Sequence, residues 1–430
     1  MPNLAIKGGN KSIKRSFKRY NPIGEEENHA VMEVMKSGEL SQYIGAWVDI
    51  PGVGGFYGGA KVNEFERMLE KRFKVKHAIT LNSATSALIA AIGAIGIAPG
   101  DEVIVSPWTM CASATSIIWW NAIPVFADIE EETFNLDPKS VMANITKHTK
   151  AIIVPDIFGH PAQLDEIMKI AKKYNLTVLE DSAQSPTALY KGKYAGTVAD
   201  IGILSLNYHK HIHTGEGGIC LTNNSNYAEK IQMIRNHAEA VVEGKGTADL
   251  SNMIGFNFRL GEIESAIGIE QFKKIDRLVS AKVNQAERLS EGLGCFKHLR
   301  PPVVKKDCTH VYYVYPIIVD CKKLGYSKDT IFNALIAEGI PIGKNYTNIH
   351  LLPMYQKKIA YGSNGYPWKS NIYRGKVSYD KGICPVAEDL NENRYFGIGI
   401  CTYDFSDRDI EDIIKAFQKV WMNLTELSEN

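Results

Sequence analysis

From residue 77 the chain reads HAITLN (77–82), DEVIVSP (101–107), PVFADI (124–129), AIIVPDIFG (151–159), LTVLEDS (176–182) and ADIGILSLN (199–207). Amphipathic stretches such as 83–97 and 164–174 fall between these short apolar runs. A strand buried on both faces reads as a continuous apolar run, because neither face meets water. Strands alternating with helices in this way predict an α/β fold with a mostly parallel sheet covered on both sides. After the helical segment 259–280 the character shifts to mixed strands such as HVYYVYPIIV (310–319) and helical patterns at 327–338 and 408–423. The expected division is a large domain over residues 1–280, including an N-terminal helical segment, and a smaller C-terminal α+β domain over residues 281–430. A chain of 430 residues is too long for one ordinary core.

Ahead of the first run, EENHAVMEVMKS (26–37) places Ala30, Val31, Val34 and Met35 on one helical face, with Ser37-Gly38 as a stop. The glycine-rich stretch QYIGAWVDIPGVGGFYGGA (42–60) breaks every period and is expected to be a structural or lid loop. It contains no GxGxxG. Charge is balanced, 49 Lys+Arg against 48 Asp+Glu, which argues against a global basic surface for nucleic acid. Seven cysteines, odd in number and without a CxxC pair, fit reduced thiols in a cytoplasmic protein. The basic stretch Lys7 to Arg19 is not followed by an apolar segment, so no signal peptide is expected, and no run approaches the ~20 apolar residues of a membrane span.

In sheets of this kind ligands gather beyond the carboxyl ends of the strands. Ser83-Ala84-Thr85 follows HAITLN and opens a helix, where it either holds a phosphate on its amides and hydroxyls or serves as a plain N-cap. Asp181 ends the run LTVLE, as a functional carboxylate or as the cap of the next helix, and Gln184 lies three residues on. After ILSL come Ser205, Lys210 and the turn Gly215-Glu216-Gly217-Gly218. An acid, a lysine and a phosphate-binding hydroxyl, each at a different strand end, match the needs of pyridoxal 5'-phosphate: an amine for a Schiff base, a carboxylate for the pyridine nitrogen, and anion ligands. His209, His211 and His213 alternate around the lysine, but with no accompanying Cys or acidic cluster no metal is expected.

The order of motifs resembles the DegT/StrS family of sugar aminotransferases, which are fold type I pyridoxal-phosphate enzymes. The resemblance runs from about Asn21 to the C-terminal helix and is carried by NSATSALIAAI (82–92), PGDEVIVSPWT (99–109), PVFADI (124–129), FGHPAQLDEI (158–167), VLEDSAQS (178–185), SLNYHKHIHTGEGG (205–218) and GFNFRLGEIESAIG (255–268). It implies that Lys210 is the catalytic Schiff-base lysine, that Asp181 pairs with the pyridinium nitrogen, and that Gln184 lies near the phenolic oxygen. It further implies phosphate binding by Ser83, Ala84, Thr85 and Ser205, and by Asn257 from the partner subunit of a homodimer with shared active sites. Met110 stands where the family usually has an aromatic residue stacked on the cofactor ring, and a thioether can cover a ring. His350, in NYTNIHLLPMY, resembles a position near the sugar, and read alone it is a loop histidine. The implied reaction moves an amino group from glutamate or glutamine to a keto-sugar, nucleotide-sugar or related polyol, in amino-sugar or surface-glycan synthesis. A dehydratase of the same fold and a non-enzymatic ligand-sensing regulator are the rival readings.

Overall fold

The computed structural model of the chain describes residues 2–50 and 54–428. Its centre is a seven-stranded sheet made of β1 (His77–Leu81), β2 (Glu102–Val105), β3 (Ile123–Phe126), β4 (Thr149–Pro155), β5 (Thr177–Asp181), β6 (Ile201–Ser205) and β7 (Gly218–Thr222). The spatial order is β1-β7-β6-β5-β4-β2-β3. From β6 through β3 the neighbours are parallel, whereas β7 runs antiparallel to both β6 and β1. The six expected runs are β1 to β6. The seventh strand, GICLT, is equally buried along its length, and it separates two runs that the sequence shows only as members of one series.

Helices cover both faces. The first, α1 (Glu25–Ser37), starts where the Glu27 carboxylate accepts from the backbone N–H of Gly24 and stops at Gly38 with φ +73°. Of its expected apolar face Val34 is buried, while Met35 is half exposed. Next come α2 (Ala60–Phe73) and α3 (Ala84–Ala94), and α3 is buried continuously from Ser86 to Ala94. Its run of alanines and Gly93 permits this depth: a Cβ on Gly93 would lie 2.3 Å from the Trp120 ring. A helix held so firmly fixes its own N-terminus at the end of β1. Farther along lie α4 (Cys111–Trp119), α5 (Leu164–Tyr174), α6 (Ser225–Arg235), α7 (Glu262–Lys273) and the long α8 (Ile275–Leu293).

A second, antiparallel sheet combines β8 (Leu299–Arg300), β9 (Tyr315–Val319), β10 (Ile342–Gly343) and β11 (Tyr395–Ile398) in the order β8-β9-β11-β10. It packs with α8, α9 (Lys328–Glu338) and α10 (Asp407–Met422) around Leu289, Ile317, Leu335, Phe396, Ile413 and Phe417. The expected boundary at residue 280 is crossed in both directions. Leu4 and Ile13, assigned by sequence to the large domain, sit in the second core. There the buried Glu338 carboxylate accepts from Ala5 N, from both groups of Ser12 and from the Lys419 ammonium. Conversely Tyr355, Trp368, Tyr373 and Tyr379 belong to the core of the large sheet, and the Tyr379 hydroxyl donates to Pro124 O on β3. Apolar pattern marks a residue for burial without saying in which core.

Part of the glycine-rich stretch 42–60 is a hairpin rather than a simple loop, Asp49–Ile50 pairing antiparallel with Gly54–Gly55; residues 51–53 lie outside the described residues. Trp47 and Phe56 pack at its base, and the Lys245 ammonium lies 4.0 Å over the Trp47 ring.

Candidate active site

One cleft, about 160 Å³ in volume, opens at the carboxyl ends of the large sheet's strands. Among the residues that line it are Ser83, Ala84, Thr85, Met110, Asp181, Gln184, Ser205 and Lys210. These come from four segments of chain, so the fold brings together every expected cofactor contact except Asn257.

The lysine reaches the cleft through the chain reversal between β6 and β7. Leu206 N donates to Gly217 O, Thr214 N to Leu206 O, and the Asn207 carboxamide to the Glu216 carboxylate, closing the excursion into a compact loop. Gly215 sits in it at φ +87°, a conformation that suits glycine. Beside it Gly218 runs so close to the start of α3 that a Cβ would lie 2.2 Å from Ser83 O. The Lys210 loop and the N-terminus of α3 are thereby locked side by side.

At that N-terminus the Ser83 hydroxyl accepts from Ser86 N at 3.0 Å, the geometry of an N-cap. The first amides of an α-helix have no acceptor inside the helix, and Ala84 and Thr85, which carry them here, line the cleft. Ser205 closes the same end, its hydroxyl accepting from Asn207 N at 3.3 Å.

Asp181 ends β5 and is buried. The Ser113 hydroxyl of α4 donates to its Oδ2 at 2.7 Å and Ala183 N to its Oδ1 at 3.3 Å. Burial raises its pKa above the ordinary carboxylate value, and these hydrogen bonds with the nearby Lys210 charge offset that only in part. Lys210 is likewise buried, and its pKa falls to about 8, with burial the main cause and Asp181 and Cys401 pulling it back.

The Gln184 carboxamide is held at both ends. Its Oε1 accepts from Phe158 N at 2.8 Å, and its Nε2 donates to the Tyr346 hydroxyl at 3.3 Å. Phe158 has φ +59°, a left-handed backbone costly for an aromatic residue. Its ring is held by Tyr395, stacked at 5.6 Å, and by Tyr346, edge-on at 5.1 Å. Tyr346 in turn stacks at 5.5 Å on Trp108, which is fully buried. Met110 is the N-cap of α4 and is 61% exposed at the cleft.

Two expected residues are elsewhere. His350 has no exposed surface: its Nε2 meets Glu388 Oε1 at 2.9 Å, and its ring packs on Phe126. The expected sugar contact is corrected on that ground, since a side chain enclosed in the core presents nothing to a ligand. Asn257 is exposed and outside its own chain's cleft, with Oδ1 accepting from Arg259 Nε. It lies between Phe256 and Phe258, stacked at 4.6 Å, and Trp119 abuts Phe256 at 5.9 Å.

Sequence reasoning missed Ser113, Phe158, Tyr346, Tyr313 and His209 as neighbours of the site. His209 lines the cleft, and Lys210 Nζ lies 4.2 Å over the Tyr313 ring. For His209 the adjacency to Lys210 was a usable signal; the others touch the site through contacts far apart in sequence. The alternating histidines diverge: His211 Nε2 meets Val311 O, while His213 Nδ1 accepts from Gly215 N. Among the described residues no group of three or more His, Cys, Asp and Glu is placed to hold a metal ion, and no helix is long and apolar enough to cross a membrane.

The model of the DegT/DnrJ/EryC1/StrS aminotransferase family matches residues 22–393. The GDP-perosamine synthase of Caulobacter vibrioides is 34% identical over 304 residues, 69% of this chain and 79% of the relative. The L-glutamine:2-deoxy-scyllo-inosose aminotransferase of Streptomyces lividus is 27% identical over 432 residues, 97% of each chain. The solved aminotransferase from Psychrobacter cryohalolentis is 26% identical with TM-score 0.79, covering 95% of this chain and 100% of that one.

Proposed function

Because the chain belongs to the DegT/DnrJ/EryC1/StrS aminotransferase family, we propose that its cleft binds pyridoxal 5'-phosphate and moves an amino group from glutamate or glutamine to the carbonyl of a keto-sugar, nucleotide-sugar or related polyol. The observation that carries this is the convergence of the Lys210 amine, the Asp181 carboxylate, the clamped Gln184 carboxamide and the start of α3 on one cleft. The donor set suits the group: free amides at a helix N-terminus and two hydroxyls for a phosphate, a buried acid for a ring cation, and a lysine for an aldehyde. When bound, pyridoxal phosphate supplies an aldehyde that condenses with amines and a cationic ring that draws electrons from the donor's α-carbon.

The chain's residues divide the remaining work. Ala84, Thr85, Ser83 and Ser205 bind phosphate, and Met110 covers one side of the ring. Asp181, whose charge burial makes costly on its own, gains a cation that offsets that cost. Gln184 is held at both ends of its carboxamide, and its remaining amide proton would be left to donate to the phenolic oxygen. Lys210 carries the α-proton. With its pKa near 8, about one amine in ten is unprotonated at pH 7, against roughly one in three thousand at the unshifted value. Base strength and availability are thus matched to neutral pH. The name of the Streptomyces relative supports glutamine as donor, and that of the Caulobacter relative supports a nucleotide-linked sugar as acceptor.

Absorption spectra test the proposal. The loaded protein is expected to absorb in the visible and to shift to the shorter-wavelength amine form when glutamate or glutamine is added. Lys210→Ala is expected to fold, to lack the lysine-bound band and to lose transamination. A visible band that persists with both donors points instead to the dehydratase or regulator reading.

A further inference from the structure

The Lys210 amine sits where almost nothing binds it directly. Among the described residues none hydrogen-bonds to it, and Asp181 acts on it only through space, yet the side chain is buried. The group directly beneath it is the Tyr313 ring, whose centroid is 4.2 Å from Nζ. Tyr313 lies two residues before β9, so the second sheet delivers it to the end of β6. It is held there by His209, its ring centroid 5.9 Å away. We propose that the face of the Tyr313 ring is the platform on which the Lys210 amine rests, as an ammonium, whenever that amine is not bonded to another group.

The physical reason is the ring quadrupole, negative on its face, which attracts a cation most strongly when water is excluded. An amino-group transfer frees the lysine once in each cycle and leaves it free until the cycle closes, and a flexible four-carbon side chain released into a cleft needs a defined place to wait. The other charged or titratable groups near the amine do not supply one. Asp181 faces it from β5 and Cys401 from residues 400–402, where burial pushes the thiol up to about 12 and keeps it neutral. His209 and His211, on the lysine's own loop, are pushed down by burial and by the lysine itself and carry no charge at pH 7. The inference builds on Lys210 as the reactive amine, but it concerns the free amine and is tested without cofactor.

The apoprotein is treated with isotopic formaldehyde and cyanoborohydride over pH 6–10, and methylation of the Lys210 peptide is followed by mass spectrometry. Wild type and Tyr313→Phe are expected to share a midpoint near 8. Tyr313→Leu, which removes the quadrupole, is expected to protonate about threefold to thirtyfold less readily, a midpoint lower by about 0.5–1.5. Pentafluorophenylalanine at 313 keeps the shape and inverts the quadrupole, so it should move the midpoint in the same direction as leucine. That comparison with Tyr313→Phe decides the matter if the leucine variant does not fold. Identical midpoints in all folded variants overturn the proposal, as does an equal drop in Tyr313→Phe, which would assign the effect to the hydroxyl. A cleft that binds no pyridoxal phosphate leaves this titration readable, so the two readings fail separately.

Discussion

Asp181 shows how one residue can serve a site while weakening the fold that holds it. Its pKa is raised by burial, so the folded apoprotein disfavours the charged form, and the penalty grows as pH rises through the ordinary carboxylate value towards the raised one. Asp181→Asn keeps the shape and removes the charge. In the absence of cofactor it is expected to stabilise the protein at pH 7 by about 1 kcal/mol in urea unfolding, an advantage that disappears at pH 3, where both side chains are neutral. With cofactor bound the order should reverse, and transamination should fall about 100-fold or more for want of a partner to the ring cation. An apoprotein equally stable with either residue would mean that Ser113 already compensates the charge. The strand-end position made Asp181 readable in the sequence. Ser113, 68 residues away on a helix face, carries no such mark, and the same holds for the Tyr346 hydroxyl on Gln184 across 162 residues.

At the scale of elements, the join between the strand-end turn 157–161, the Lys210 loop and the segment 305–312 is made by buried, neutral histidines. His160 Nε2 accepts from Lys305 N while its Nδ1 donates to Pro161 O, and His211 Nε2 meets Val311 O. Burial lowers both to about 4. The unfolded chain therefore binds protons between pH 6.5 and 4 that the folded chain refuses, and stability is lost as pH falls across that window, by roughly 1.4 kcal/mol per pH unit for each proton. His160→Gln is expected to lessen the slope of unfolding free energy against pH by about one proton, measured by urea titration at pH 7, 6 and 5; an unchanged slope removes His160 from the join. Continuous apolar runs made β1 to β6 legible, because a strand covered on both faces has no polar phase. The seventh strand was not, since its short run follows a glycine turn that reads equally well as loop, and the two-core exchange was not, since Tyr355 and Tyr379 look like any other aromatics of the C-terminal part.

At the scale of the whole molecule, we propose a homodimer in which Asn257, exposed and outside its own chain's cleft, completes the neighbour's phosphate site. The patch includes Trp119, 47% exposed, and Ile254, 61% exposed. Mixing inactive Lys210→Ala chains with impaired Asn257→Ala chains is expected to restore activity in the heterodimers, which hold one site with both groups intact. Heterodimers that form and stay inactive would place Asn257 in its own chain's site.

The seating of the first twenty residues against the last helix has a consequence for biosynthesis. Asn3 N donates to the Glu426 carboxylate, and the Arg15 guanidinium grips Asp409 and Asp412. Residues 3–15 are thus translated about 400 residues ahead of the partners that bury them, and over that interval Leu4 and Ile13 have no native core to enter. The segment stays open to proteases and chaperones until residues 409–426 have been made, and docking it closes a loop of about 400 residues in one step.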